Sequence, residues 1–188
     1  MTGLGAAKMR RLRYGVAMSL DGFIAGPNGK YDWIVQDPAI DFAAMFAQFD
    51  TLLMGRGTYE VASEEGKTWD RFGQRWIVVS TTLKPEDHPN VTILSSGVAE
   101  AVAALKAQPG PKPQKDIWLF GGGILFRCLL DAGLVDTVEV ALNTVMLGSG
   151  IPLLPEGRRR SLHFEESKVL PSGILMLTYS VAPEPTGR

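Results

Sequence analysis

At 188 residues, with 45% hydrophobic, 21% charged and 9% aromatic side chains, the chain has the size and make-up of one folded domain. Nineteen Lys and Arg against twenty Asp and Glu leave a net charge of −1, which argues against a nucleic-acid partner, since a phosphate backbone demands a surplus of cations. One cysteine and two histidines exclude an internal disulfide and a multi-Cys zinc centre, and make a His-rich site improbable, so no metal is expected.

The basic residues Lys8, Arg10, Arg11 and Arg13 are not followed by a continuous apolar stretch, as a secretory leader would require. No run approaches the ~18 apolar residues of a membrane span, so no membrane partner and a cytoplasmic location are expected. Residues 1–11 read as a flexible arm, 12–182 as the domain and 183–188 as a flexible tail.

Leu12 to Met18 alternates Tyr14, Val16 and Met18 on one face and reads as a strand. Ser19-Leu20-Asp21-Gly22 breaks it, Phe23 to Ala25 extends it briefly, and Gly26-Pro27-Asn28-Gly29 turns the chain. A helix is expected over 38–49, with Pro38 in its first turn and Phe42, Met45, Phe46 and Phe49 as its apolar stripe. Thr51 to Met54 reads as a buried strand and Thr58 to Ser63 as a helix. Arg75 to Ser80 and Val91 to Leu94 read as two more strands. A helix over 97–107 has Ser96 as its expected N-cap, and 109–113 is a loop. Asp116 to Phe120 is a strand, and a helix runs from the glycines after it to Ala132. Val135 to Leu142 is a strand, 148–152 a loop, and 162–170 with 174–181 an antiparallel hairpin. Strands alternating with helices predict an α/β fold: a mainly parallel central sheet, helices on both faces and antiparallel strands at one edge.

Two strand-to-helix junctions are rich in glycine, Met54-Gly55-Arg56-Gly57-Thr58 and Phe120-Gly121-Gly122-Gly123-Ile124-Leu125. Glycine lets a phosphate approach the backbone and a helix N-terminus offers free N–H groups, so the pair could hold a pyrophosphate; glycines that merely permit turns are the alternative. Neither junction fits G-x-G-x-x-G, and there is no P-loop sequence. Arg56 at a helix start opposes the dipole, which makes sense if it meets a phosphate, a surface salt bridge being the other reading. Ser80, Thr81, Thr82 and Lys84 suit a second phosphate or an ordinary turn. Asp41 beside a phenylalanine-rich face is a candidate proton-managing acid or a helix-dipole partner; Asp21 is a second candidate or a turn former. Trp33 is positioned to close over a flat ligand or to fill the core. Cys128, in an apolar helix, reads as packed, and His88 and His163 as surface or structural.

Met18-Ser19-Leu20-Asp21-Gly22-Phe23-Ile24-Ala25, Asp32-Trp33-Ile34, Leu53-Met54-Gly55-Arg56-Gly57-Thr58-Tyr59-Glu60 and Trp118-Leu119-Phe120-Gly121-Gly122-Gly123 together resemble the dihydrofolate reductase-like superfamily. The closer resemblance is to the branch holding the reductase domain of the riboflavin-biosynthesis deaminase–reductase, and it spans about residues 12–181. It implies NADPH as hydride donor to a small heterocycle of the pterin or pyrimidine kind. Gly55, Arg56, Gly57 and Thr58 would lie at the cofactor phosphates, Ser80 and Thr81 near the adenosine, and Gly121, Gly122, Gly123, Ile124 and Leu125 at the pyrophosphate. Ala17 and Met18 would flank the nicotinamide. Asp41 stands near the place of the superfamily's pterin-binding acid, closer to Met54-Gly55-Arg56 than is usual, and Asp21 is the rival. The resemblance also implies a homodimer; the apolar Ile174 to Leu177 is a candidate surface for it or part of the core. No zinc-deaminase H-x-E…P-C-x-x-C pattern occurs. A nucleotide-binding module without turnover, and a purely structural domain, are the competing functions.

Overall fold

A computed structural model describes residues 9–64, 73–108 and 115–183. Most of the expected arm and tail, and the loop at 109–113, lie outside these. Arg10, assigned to the arm, is instead buried: it donates through its backbone to Lys106 O and pairs with Asp50.

Eight strands form one sheet: β1 (Leu12–Met18), β3 (Phe49–Gly55), β4 (Arg75–Val79), β5 (Thr92–Leu94), β6 (Asp116–Gly121), β7 (Thr137–Leu142), β9 (Leu162–Val169) and β10 (Leu175–Val181). Their order is β5-β4-β3-β6-β1-β7-β10-β9. From β5 to β7 every neighbour is parallel; β10 joins antiparallel to β7 and to β9. Two further strands, β2 (Phe23–Ala25) and β8 (Ile151–Pro152), pair antiparallel in a small second sheet. The sequence reading left them as an extension and a loop, because runs of three and two residues carry no period.

The two-residue period of the strands sorts side chains onto two faces. Leu12, Tyr14, Leu53, Ile117 and Leu119 meet α3 (Val98–Ala107) and α4 (Gly123–Asp131) through Val102, Leu105, Phe126 and Leu129. Leu52, Met54, Val78 and Trp118 point the other way, onto Phe46 of α1 (Phe42–Ala47) and Tyr59 of α2 (Arg56–Glu64). Helices therefore cover both faces of the parallel sheet, as its buried strands require.

Several helix limits differ from expectation for local reasons. α1 begins at Phe42, because Asp37 Oδ1 accepts from Ala39 N at 2.7 Å and folds Pro38 into a turn, and Asp41 then caps the helix. α2 begins at Arg56, so Gly57 lies inside its first turn. α3 is capped by Gly97 at φ 59°, without any side-chain bond, rather than by Ser96; only glycine takes that conformation cheaply. Cys128 is exposed, not packed, since it falls between the buried positions of α4. In the hairpin, Ile174 is core and Leu175 to Leu177 are half-buried, while all eight residues of β9 are exposed.

Candidate functional site

The parallel strands end on one edge, at Met18, Gly55, Val79, Gly121 and Leu142. There the two glycine junctions are neighbours, for Met54 of β3 pairs with Gly121 of β6. A Cβ on Gly121 would stand 2.9 Å from Thr58 Oγ1 and 3.1 Å from its Cγ2, so Thr58 fills the notch between the junctions. A Cβ on Gly55 or Gly57 would meet nothing within 4 Å, and neither residue has a positive φ. Neither packing nor backbone strain explains these two glycines; they leave bare backbone facing open space.

Gly122, at φ 93°, swings the chain from β6 into α4 and serves as its N-cap. The next N–H groups, of Gly123, Ile124 and Leu125, have no acceptor within the helix and stand at the positive end of its dipole. The Ile124 side chain is 81% exposed at this edge, whereas that of Leu125 is in the core, which leaves only its backbone for a ligand. The segment from Pro152 to Pro155 lies across Gly123, whose Cβ would come within 2.6 Å of Pro152 O.

At the start of α2, Arg56 Nη1 donates to Thr82 Oγ1 at 2.9 Å and its Nε lies 3.4 Å from Glu60. Ser80 is buried, and its Oγ accepts from Thr82 N and Leu83 N, holding the turn after β4. Thr81 is exposed on that turn. Arg56 thus has a surface partner in Glu60, and Thr82 holds it beside the turn after β4.

Ala17 and Met18 end β1 beside Ala141 and Leu142 of β7. The two candidate acids serve as anchors. Asp21 Oδ1 accepts from Ser19 Oγ at 2.6 Å and Leu147 N at 3.0 Å, and Oδ2 accepts from Gly148 N at 2.7 Å. These bonds, that from Ser19 first, lower its pKa to about 2, so it is a carboxylate at neutral pH. Asp41 is exposed and accepts from Ala44 N at 2.9 Å as the N-cap of α1. Trp33 borders a depression of about 310 Å³ with Gly26, Lys30, Asp32, Leu147 and Ser149. Its Nε1 is buried without a hydrogen-bond partner among the described residues.

Two positioning residues escaped the sequence reading. Asn143 is buried at the end of β7, where Oδ1 accepts from Val35 N at 3.1 Å and Nδ2 donates to Ala141 O at 2.9 Å. Asp37 is buried as well, and Oδ2 accepts from Ser172 N at 2.9 Å. Together they fix the loop that carries Trp33. A polar residue closing an apolar strand was the visible signal for Asn143; the partner of Asp37 lies too far along the chain to be read. His88 proves to have a partner, Tyr59 Oη at 2.9 Å from Nδ1.

Among the described residues no cluster of His, Cys, Asp or Glu suits a metal, and no helix is long and apolar enough to cross a membrane. In sequence the chain is similar to the Bacillus subtilis protein YyaP, with 31% identity over 92% of this chain and 95% of that one. In structure it is similar to a Shewanella sp. PV-4 protein named for riboflavin biosynthesis, with a TM-score of 0.77 and 25% identity over 93% of this chain and 100% of the other. The fold is shared with a bifunctional deaminase/5-amino-6-(5-phosphoribosylamino)uracil reductase of Thermotoga maritima, TM-score 0.67 at 16% identity, over 93% of this chain and 57% of that one. With its residues 10–176 matching the family model of the RibD C-terminal domain, the dihydrofolate reductase-like reductase unit of riboflavin biosynthesis, the chain belongs to that family.

Proposed function

We propose that the protein is an NADPH-dependent reductase that passes a hydride to a small heterocycle of the pterin or pyrimidine kind, riboflavin precursors included, and that it works in the cytoplasm. The observation that carries this reading is the bare backbone at Gly55 and Gly57 beside the free N–H groups of α4, at the ends of adjacent parallel strands. That cradle fits a dinucleotide, because a Cβ at either glycine would occupy space that a phosphate can use. Gly55, Gly57, Thr58 and the α4 amides of Gly123 to Leu125 would hold the phosphates, with Gly121 and Gly122 shaping the turn. Arg56 would supply charge, and Ser80 and Thr81 would face the adenosine.

When bound, the cofactor supplies a hydride with its electron pair to an electrophilic C=N or C=O carbon, and a proton from water completes the product. The chain's own work is placement. Ala17 and Met18 would set the depth of the nicotinamide, and Trp33 the substrate plane. Asp21, already ionised, would hold the loops around the substrate instead of donating a proton. Asp41 remains the candidate for a carboxylate at the substrate rim.

The engagement of both acids in structural bonds favours one alternative, a module that binds NADP(H) without turnover. Titration with NADPH and NADH, followed by nicotinamide fluorescence, tests the cofactor, and a screen of pterins and pyrimidines for NADPH oxidation separates enzyme from module. Arg56→Ala should weaken NADPH binding by about 1–3 kcal/mol, the worth of a charge-assisted contact. Unchanged affinity removes the role given to Arg56.

The homodimer belongs to the same proposal. Its interface would be β9, the exposed edge strand bearing Leu162, Phe164 and Val169, instead of Ile174 to Leu177. Sedimentation of wild type and Phe164→Glu tests it, and a monomeric wild type rejects it.

A further inference from the structure

The carboxyl edge of the sheet is divided. Over β4, β3 and β6 it is polar: Ser80, Thr82, Arg56 and the glycines. Over β6, β1 and β7 five large apolar side chains protrude among polar ones. Leu20, Ile124, Met146, Val35 and Ile151 are 41–81% exposed there. Short backbone ties set them around one mouth. Leu20 N donates to Val145 O at 2.7 Å, which brings Leu20 beside the Met146 loop. Val35 N is bound to Asn143 at the end of β7, and Ile151 pairs with Ala25. Ile124 begins α4 at the end of β6.

The charge of this half points the same way. The segments that frame it, 19–48 and 143–155, contain one cation, Lys30, and four carboxylates, Asp21, Asp32, Asp37 and Asp41, of which Asp37 is buried and faces Lys168 of β9. Lys30 shares its depression with Asp32. Arg160 is turned away from the mouth: its Nη2 donates to Asp131 O, at the far end of α4. Arg127 spends its donors on Pro155 O, Arg158 O and Asp131. A phosphate entering the mouth would meet an excess of negative charge, whereas an apolar face would be welcomed.

Resting on the hydride-transfer reading but departing from its riboflavin precursors, we infer that the hydride acceptor is an uncharged, largely apolar conjugated carbonyl or imine compound, and not a phosphorylated ribosylaminopyrimidine. The test uses the full chain and Nile red, a flat neutral dye, as probe of the mouth. Wild type should bind the dye saturably. The double variant Leu20→Glu/Met146→Glu should bind it roughly tenfold or more weakly, the worth of the lost apolar contact. Both side chains are exposed, so the variant should keep the wild-type circular dichroism spectrum. Menadione, a neutral conjugated diketone, should displace the dye, and 5-amino-6-(5-phosphoribosylamino)uracil should not.

Equal dye binding by wild type and variant, or displacement by the phosphorylated compound at least as effective as by menadione, would overturn the inference alone. Dye binding that vanishes as a sedimenting dimer forms would assign the surface to a second copy and overturn it too. NADPH titrated into the same samples reports on the reductase reading: no saturable NADPH binding overturns both.

Discussion

Thr58 of α2 rests against the Cα of Gly121 in β6, leaving 2.9 Å between its hydroxyl oxygen and the place a Cβ would take. One residue from each glycine junction thus locks the two together, and the distance between the amides of α4 and the bare backbone at Gly57 follows from that contact. Gly121→Ala would push Thr58 aside. We expect a loss of about 1–3 kcal/mol in stability, the usual cost of overpacking, together with weaker NADPH binding. Urea unfolding and nicotinamide fluorescence measure the two, and a variant with native stability and affinity would refute the locking role.

Gly57→Ala separates packing from ligand binding. The backbone there lacks a positive φ and the added methyl meets open space, so the variant should fold and gain about 0.4–1 kcal/mol from the stiffer unfolded chain. Its affinity for NADPH should nevertheless fall by about tenfold or more, because the methyl takes the place of a phosphate oxygen. A variant that is more stable and binds NADPH as tightly as wild type would show that nothing approaches this backbone.

How much of this was legible can be seen at the same residues. Leu52, Leu53 and Met54 announce a buried strand by being continuously apolar, and Gly55-Arg56-Gly57 marks its end, so the junction was readable. Its neighbour Gly121 was equally visible, but the adjacency of β3 and β6 depends on chain returns that no local pattern records. The part the acids play was not legible, because local sequence cannot tell an active carboxylate from an anchor: two of the partners of Asp21, Leu147 and Gly148, lie over a hundred residues away. Helix ends failed where a turn captured the polar atoms first, as at Asp37, or where glycine took a conformation closed to Ser96.

Asp21 imposes a pH signature. Its pKa is about 2 in the folded protein and near the ordinary carboxylate value of 3.8 in the unfolded chain. The unfolded state therefore takes up the proton first as pH falls. The stabilisation is fully present above about pH 5, drains as pH drops through about 4, and is gone below about 2. Asp21→Asn should lower the melting temperature at neutral pH and flatten its decline between about pH 4 and 2. Equal slopes in variant and wild type would mean that the bonds to Ser19, Leu147 and Gly148 do not favour the ionised form.

Arg127 is the latch of the segment that crosses α4. Nε and Nη2 donate to Pro155 O at 3.2 and 2.9 Å, and Nη1 donates to Arg158 O at 2.9 Å. Gly157 must lack a side chain, since a Cβ would stand 2.7 Å from the guanidinium. Arg127→Leu should cost about 1.5–3 kcal/mol, the worth of hydrogen bonds to a charged group. Arg127→Lys should not restore it, because a single ammonium cannot reproduce the planar fork. Urea denaturation of the three proteins decides, and full recovery by lysine would reduce the latch to simple charge.

Asp41 offers the clearest separation of cap from acid. Its carboxylate caps α1 through Ala44 N, and a hydroxyl can do the same. Asp41→Ala should destabilise the protein by about 1 kcal/mol, and Asp41→Ser by little, since serine is as good an N-cap as aspartate. If the carboxylate also touches the substrate, Asp41→Ser will keep wild-type stability and still lose turnover. Serine at wild-type stability and wild-type turnover would instead confine Asp41 to the helix cap, leaving water as the proton source. Paired measurements of melting temperature and NADPH oxidation, made on the same preparations, distinguish these outcomes.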